Sequence, residues 1–223
     1  MMEEYSKSFK YWKTQEVEEV FGIVPEEDSD LMTDWLAADG DISEKEQEQL
    51  AYLKRRLTEK VAFWNEAAIK FYFIGPLMSL VDYDTDLYNS FLEQQLSVKV
   101  DESITVSGNL DFLVATGKQI PRTPFFALHE YKPEPNVSTD PMGQLLMGMV
   151  AAQKANQAKG HDYPLYGTYV VGRFWFFVIL NGNTYSKSLA YDATQQDLTS
   201  IFHILKKVNY YIRQSLSAEL EPA

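Results

Sequence analysis

The 223-residue sequence contains no cysteine, which excludes disulfide bonds, thiolate metal sites and thiol nucleophiles. A reducing compartment is the simpler interpretation of such a chain. Its first residues, 1–7, lack the basic and apolar regions of a signal peptide. The most apolar stretches, residues 71–81 and 174–180, are far shorter than the ~18–20 residues that cross a bilayer. We therefore expect a cytoplasmic protein without a membrane partner.

Positive charge is also scarce. The chain has 20 Lys and Arg against 32 Asp and Glu, a formal net charge of −12. Proteins that coat nucleic acid neutralise phosphates with Lys and Arg, so this balance argues against a general coat protein. An enzyme that touches nucleic acid locally, or through a divalent metal, remains compatible with it. Hydrophobic residues make up 45% of the chain, which is enough to form a core at this length.

The strongest helical pattern begins at Ser43. Ser43 followed by Glu46 is typical of a capping box. Apolar residues then recur every three or four positions from Leu50 to Phe71. This spacing predicts one long amphipathic helix, which Gly75-Pro76 breaks or kinks.

The first 60 residues carry much of the negative charge and contain acidic, turn-rich stretches. None of the motifs described below lies there. We therefore predict a helical N-terminal extension over residues 1–60 and a second unit over residues 61–223. The acidic extension could bind a basic protein partner. The chain could also form a homo-oligomer.

After residue 91 the apolar pattern changes to a period of two, which predicts antiparallel strands. The predicted strands cover residues 96–100, 104–106, 110–114 and 125–132, with bends at 108–109 and 117–124. A helix over 141–158 follows, with Asp140 as its N-cap. Asn181-Gly182-Asn183 predicts a hairpin turn between strands 169–180 and 184–190, and a final helix covers 198–212. This order predicts an α/β (α+β) fold in which helices flank one central sheet.

Glu130 and Lys132 end the most apolar predicted strand. Residues two apart on a strand project to one face, so both side chains follow Phe126 and Leu128 there. Burial of such charges is costly unless they pair or bind something. If a hairpin sets Asp111 opposite, Cβ atoms ~5 Å apart would let both carboxylates share a divalent ion. A strand-end ion pair, with Asp111 as a turn cap, is the simpler alternative.

Two further polar residues lie in apolar surroundings. Glu66 is on the long predicted helix, and Phe63 and Phe73 flank it on the same face. We therefore expect Glu66 to be buried and to need a partner. Gln144 lies in the first turn of the 141–158 helix beside Gly143, where the backbone could approach the sheet closely. Taken alone, each of these two residues could simply be a polar group of the core that has its hydrogen-bond partners within the protein.

Taken in order, these residues form a pattern: a helical Glu, a strand Asp, Glu-x-Lys on the next strand, and a helix with Gln. The pattern resembles the PD-(D/E)XK nuclease superfamily and, within it, a bacterial family. The resemblance spans about residues 60–180, and it implies the restriction-endonuclease-like fold, a central mixed sheet flanked by helices. The matching positions are Glu66, Asp111, Glu130, Lys132 and Gln144.

The resemblance implies hydrolysis of phosphodiester bonds in nucleic acid, with DNA as the expected substrate. Asp111 and Glu130, together with the carbonyl of Tyr131, would hold Mg²⁺ or Mn²⁺. Hard oxygen ligands favour these ions over zinc. The ion would polarise the phosphate and activate a water molecule. Lys132 would orient that water or stabilise the charge of the transition state.

Glu66 would support this metal or bind a second one, and Gln144 would position Lys132 or the phosphate. Two other interpretations stay open. The chain could keep the nuclease fold as a catalytically silent module that binds protein or nucleic acid. It could also be a hydrolase that uses Asp111 and Glu130 as a carboxylate pair, which leaves Lys132 without a purpose.

Overall fold

The computed structural model describes residues 5–99, 104–134 and 139–220. Val100, the last residue of the first predicted strand, lies outside these ranges. The strands are β1 (Tyr5–Ser8), β2 (Val24–Pro25), β3 (Asn89–Lys99), β4 (Ile104–Thr116), β5 (Arg122–Lys132), β6 (Leu165–Val171), β7 (Phe174–Asn181), β8 (Thr184–Lys187) and β9 (Tyr191–Asp192). The helices are α1 (Thr14–Phe21), α2 (Asp30–Leu36), α3 (Glu44–Lys60), α4 (Glu66–Ile69), α5 (Gly75–Val81), α6 (Pro141–Gln157) and α7 (Asp197–Leu220).

All of these strands belong to one mixed sheet. Its order is β1-β4-β5-β6-β7-β8-β2, while β3 pairs with β4 and β9 with β7. The pairs β1–β4, β5–β6 and β2–β8 are parallel, and the others are antiparallel. The predicted α/β fold, with helices flanking a central mixed sheet, is confirmed.

Two apolar cores lie on opposite faces of the sheet. Alternate residues of β4 divide between them: Phe112 and Val114 join one core, and Leu113 and Ala115 join the other. Helices α2, α3, α5 and α7 cover the first core, and α1 and α6 cover the second. Since the buried side chains of β4 and β5 are apolar on both faces, the few polar ones stand out.

The prediction of a single helix beyond Ser43 was wrong, although its capping box is present. Helix α3 ends at Lys60, a 3₁₀ turn follows over Val61–Phe63, and a new helix starts at Glu66. The cause is Asn65, whose side chain accepts a hydrogen bond from the Ala68 N–H at 2.9 Å. This cap begins a new helix in the middle of the apolar pattern.

Of the break or kink predicted at Gly75-Pro76, the break is absent. Helix α4, a π-helical turn over Lys70–Ile74 and α5 follow one another directly. Pro76 lies in α5 just after the π turn, so the helix passes through this proline without a break. A π turn widens a helix by one residue and often marks a functional site.

Three strand predictions also need correction. Residues 108–109 form no bend, because β4 runs through them. Gly108 is required there because Phe9 lies 2.5 Å from the position a Cβ would take. The predicted 169–180 strand is two strands, β6 and β7, that turn at Gly172 with φ +58°. A register shift between β4 and β5 also places Phe126 in the opposite core from Leu128.

Residues 5–60 contain strands as well as helices, so their description as a helical extension was incomplete. Strand β1 pairs with β4 and β2 with β8, which joins this segment to the sheet at two places. The unit boundary at residue 60 stays a prediction. In the chain segments that the structure describes, no helix combines the length and apolar composition that a membrane crossing requires.

Candidate functional site

The site lies at one edge of β4, where residues 108–111 pair with neither β1 nor β5. We call this stretch the gap in β4. Strand β3 occupies the opposite edge of β4, so β5 and β1 share this edge. Strand β5 pairs there with residues 112–116, and β1 pairs with residues 104–107. Asp111 lies at the end of the gap between them. Its Oδ2 accepts a hydrogen bond from the Tyr131 N–H at 2.7 Å, so the sheet itself fixes this carboxylate.

Glu130 and Lys132 lie next to this carboxylate. Phe112 pairs with His129, and the same register sets Asp111 opposite Glu130. Lys132 Nζ lies 2.5 Å from Glu130 Oε1, so the two side chains share a face as predicted. Glu130 is almost fully buried, and its only ion-pair partner in the described ranges is Lys132.

Glu66 completes the group from the opposite side. Its Oε2 lies 3.9 Å from Lys132 Nζ. Its expected burial was wrong: the Glu66 side chain is 41% exposed, because it begins helix α4 and does not lie in the middle of a long helix. Phe63, which we expected to frame it, is 84% exposed.

Lys70 is a member of the site that the sequence analysis missed. Its Nζ lies 2.7 Å from Asp111 Oδ1, 2.9 Å from Glu66 Oε1 and 2.9 Å from Glu93 Oε1. One ammonium therefore contacts three carboxylates. The spacing of Glu66 and Lys70 by four residues on a helix was a usable signal. Glu93 gave none, because its position beside Asp111 comes from the pairing of β3 with β4, in which Leu92 pairs with Phe112 and Gln94 with Leu110.

The charges of this group do not balance. Asp111, Glu130, Glu66 and Glu93 are four carboxylates, and Lys70 and Lys132 are two ammonium groups. With all six ionised, two negative charges remain without a counter-charge. We call these six residues the carboxylate–lysine cluster.

The pKa values reflect the crowding of these charges. Burial raises the pKa of Glu130, the charge of Asp111 raises it further, and Lys132 only partly opposes this. Burial likewise raises the pKa of Asp111 in spite of its bond to Lys70. Burial lowers the pKa of Lys70, but the contacts with Asp111, Glu66 and Glu93 together outweigh burial and raise it overall. Added positive charge would therefore stabilise the cluster.

The cluster opens into a cleft of about 800 Å³. Helices α4 and α5 with the π turn form one wall, and β3 and β4 form the other. Lys70, Glu93 and Asp111 line the cleft, and beside them lie the exposed apolar side chains of Phe71 and Leu92. A ligand could therefore reach Asp111 from solvent.

Gln144 is placed on α6 and is buried. Its Oε1 has no hydrogen-bond partner in the part of the chain that the structure describes. Among the described residues no hydrogen bond joins Gln144 to Lys132, so the structure gives no support to the prediction that Gln144 positions Lys132. A contact with phosphate stays a prediction. Gly143 approaches the backbone of residues 12–14, with a Cβ position 2.5 Å from the Trp12 carbonyl oxygen, and not the sheet as expected.

His129 lies on the other face of β5 from Glu130 and is a structural residue. It is buried against Phe112, and its Nδ1 lies 2.8 Å from the Tyr131 hydroxyl. Burial lowers the pKa of His129 to about 3, so its ring is neutral at physiological pH.

A metal ion requires several ligand atoms in one place, and the cluster supplies only some of them. No group of three or more His, Cys, Asp or Glu in the described ranges has a metal-binding arrangement. Mg²⁺, however, is commonly held by one or two carboxylates together with water and substrate phosphate. Asp111 and Glu130 supply such hard oxygen donors. A cation at Asp111 Oδ1 would have to displace the ammonium of Lys70, which already lies there.

Comparison with known proteins adds no further assignment. No protein-family model matches this sequence, and no curated protein matches it. The interpretation of the site therefore rests on the geometry and chemistry of the carboxylate–lysine cluster.

Proposed function

We propose that this protein is a metal-dependent nuclease of the PD-(D/E)XK type, with a restriction-endonuclease-like core, that hydrolyses phosphodiester bonds of nucleic acid. One observation carries the proposal. Asp111, fixed by the Tyr131 N–H, lies opposite Glu130 at the end of the β4–β5 ladder, with Lys132 beside them. With all six groups ionised, the cluster lacks two positive charges, which is the charge of one Mg²⁺ or Mn²⁺.

Asp111 and Glu130 would hold the ion together with the carbonyl of Tyr131. A bound Mg²⁺ or Mn²⁺ supplies a Lewis acid for the phosphate and lowers the pKa of its water. Asp111 is well suited to hold a cation because its orientation is fixed before any ligand binds, which spares the cost of ordering it. Glu130 loses part of its burial penalty when positive charge approaches.

Lys132 supplies a fixed positive charge at the mouth of the site. Burial lowers the pKa of this ammonium, but Glu130, Glu66 and Asp111 together outweigh burial and raise it, so Lys132 stays protonated at neutral pH. It would stabilise the negative charge that grows on a phosphate under attack. Glu66, half exposed beside it, orients this ammonium from the solvent side.

Lys70 would hold the cation position while no metal is bound. An ammonium that contacts three carboxylates keeps their repulsion low. Two of its partners, Glu66 and Glu93, are substantially exposed, so Lys70 can leave Asp111 and keep ion pairs in solvent. Metal binding then requires only that the Lys70–Asp111 contact is replaced by a metal–Asp111 contact. The apolar core stays closed.

The same lysine favours a second candidate function. If the Lys70–Asp111 pair persists, Asp111 and Glu130 have their counter-charges from Lys70 and Lys132, and the fold is a catalytically silent binding module. Buried ion pairs of this kind hold structure without any ligand. The two candidates differ in one measurable property, the affinity of Asp111 for a divalent cation.

Calorimetric titration with Mn²⁺ tests the proposal without knowledge of the substrate. We expect one site in the wild type and none in Asp111→Asn, which keeps the shape of the side chain but loses its charge. Circular dichroism must show that the variant is folded. A folded wild type without a Mn²⁺ site, even when a short oligonucleotide is present, would favour the silent module.

A further inference from the structure

A surface next to the cleft combines exposed aromatic rings with unpaired positive charge. It lies where the C-terminal half of α3 meets the π turn. We define this basic–aromatic surface by six residues: Tyr52, Arg55, Arg56, Trp64, Phe71 and Tyr72. Exposed apolar groups gathered in one place commonly mark an interaction site, and here the charge restricts the kind of partner.

The aromatic rings and the arginines are pre-arranged. The guanidinium of Arg56 lies 4.2 Å from the ring centre of Tyr72 and donates to the Tyr52 hydroxyl at 2.9 Å. Trp64 stacks on Tyr72 with ring centres 5.8 Å apart. Phe71 packs edge-on against Tyr72 and is 74% exposed. These contacts fix the planes of the rings, while the side chains of Tyr52, Phe71 and Tyr72 stay exposed to solvent.

The positive charge of this surface is not neutralised within the protein. Lys7, Lys70, Lys132 and Lys206 each form an ion pair with a carboxylate. Arg55 and Arg56 form none in the chain ranges that the structure describes, and each lies over an aromatic ring. In a chain with a net charge of −12, this is a local site for an anionic partner.

The surface is continuous with the proposed active site. Phe71 and Pro76 line both the cleft that contains Asp111 and the neighbouring cleft of about 470 Å³ that contains Tyr52 and Arg56. A ligand that extends along the surface therefore passes Phe71 and arrives at the cluster.

We infer that this surface binds an unpaired nucleic-acid strand and leads it to the carboxylate–lysine cluster. The inference rests on the proposed nuclease function. Aromatic faces and guanidinium planes stack on unpaired bases, and arginine charges follow the phosphates. In a duplex the bases already stack on one another, and duplex binding depends on many contacts from Lys and Arg to phosphates, which a net charge of −12 disfavours.

Fluorescence anisotropy with a labelled oligonucleotide of about 15 nucleotides, a length that such sites cover, tests this inference. EDTA in the buffer separates binding from cleavage and from metal. We expect the full-length protein to bind single-stranded DNA or RNA more tightly than the duplex of the same sequence. Phe71→Ala and Arg56→Gln should each weaken single-strand binding roughly tenfold.

The matched control is the double variant Lys10→Gln, Tyr11→Ala. It removes an exposed cation–π pair in which Lys10 Nζ lies 4.8 Å from the ring centre of Tyr11. The neighbouring residue Phe9 belongs to the second core, on the face of the sheet opposite to α3. This control should bind like the wild type. Arg55→Gln, at an exposed position, provides a second basic variant if Arg56→Gln does not fold.

Tighter duplex binding, or unchanged binding by Phe71→Ala and both arginine variants, would overturn the inference. Equal binding of a polyglutamate peptide, weakened by the same variants, would point to an acidic protein partner and overturn it as well. Mn²⁺ titration of the same samples separates the two proposals. A wild type that binds Mn²⁺ but does not prefer the single strand refutes only the surface, and a wild type that prefers the single strand but binds no Mn²⁺ refutes only the metal site.

Discussion

The ammonium of Lys70 lies 2.7 Å from Oδ1 of Asp111, at the position where a metal ion would approach that carboxylate. The pair joins the π turn to the gap in β4. The same ammonium contacts Glu66 and Glu93. Lys70 therefore competes with any cation for Asp111, and this competition can be measured.

Lys70→Met should raise the affinity for Mn²⁺ by at least about tenfold, which corresponds to about 1.4 kcal/mol. The substitution keeps the length of the side chain and removes the competing charge. Calorimetry measures the change, and Lys206→Met is the control because Lys206 pairs with Glu46, a carboxylate outside the cluster. A silent module would instead give a less stable Lys70→Met protein that still binds no Mn²⁺, since Asp111 loses its partner.

Lys132→Ala should lower the rate of phosphodiester cleavage by at least about hundredfold and leave the Mn²⁺ site in place. The reason is that Lys132 acts on the phosphate, while Asp111 and Glu130 hold the ion. Cleavage is measured with a panel of single-stranded and duplex DNA and RNA. Lys187→Ala, an exposed lysine on β8, should cleave like the wild type. Loss of Mn²⁺ binding in Lys132→Ala would contradict this division of roles.

His129 should make the protein less stable in mild acid. Burial lowers the pKa of His129 from 6.5 to about 3. Between these two pH values the His129 ring is protonated in the unfolded chain and neutral in the folded protein. Its contribution is complete above pH 6.5 and is lost as the pH falls toward 3. The loss is about 1.4 kcal/mol per pH unit, or about 2 kcal/mol at pH 5.

Urea unfolding at pH 7 and pH 5, for the wild type and His129→Gln, measures this effect. Gln keeps an acceptor for the Tyr131 hydroxyl and does not titrate. The wild type should lose about 2 kcal/mol more than the variant between the two pH values. Equal losses would show that His129 does not carry the dependence. Because Glu130 titrates in both proteins, the difference between them isolates His129.

Gly143→Ala should destabilise the fold by about 1–3 kcal/mol, although alanine favours helices. A Cβ at residue 143 would lie 2.5 Å from the backbone carbonyl oxygen of Trp12, which cannot move alone. Gly148→Ala in the same helix is the control, because its Cβ would meet the flexible end of Leu110 at 2.9 Å. Urea unfolding should show the larger loss for Gly143→Ala. The opposite order would mean that the 12–14 segment shifts freely.

Much of the fold could be predicted from local patterns. The capping box of Ser43 and Glu46, the Asp140 cap of α6 and the Asn181-Gly182 hairpin are all present. Each depends on residues within a few positions of one another. The break at Asn65 could not be separated from a continuous helix, because the apolar period runs through it and only the cap hydrogen bond decides.

The sequence by itself determined the sheet with its flanking helices and the order of the polar residues along the chain. It also determined that Glu130 and Lys132 share a face, because a strand alternates with a period of two. It could not show that β5 and β1 divide one edge of β4, since strand pairing joins residues far apart in the chain.

Only the tertiary structure decided what surrounds Asp111. The gap in β4 makes the Tyr131 N–H its partner, and the pairing of β3 with β4 brings Glu93 to the cluster as a fourth carboxylate. Lys70 reaches Asp111 from a helix 41 residues earlier in the chain. Local periodicity fixes the face on which a side chain lies, whereas long-range packing fixes which charges meet there.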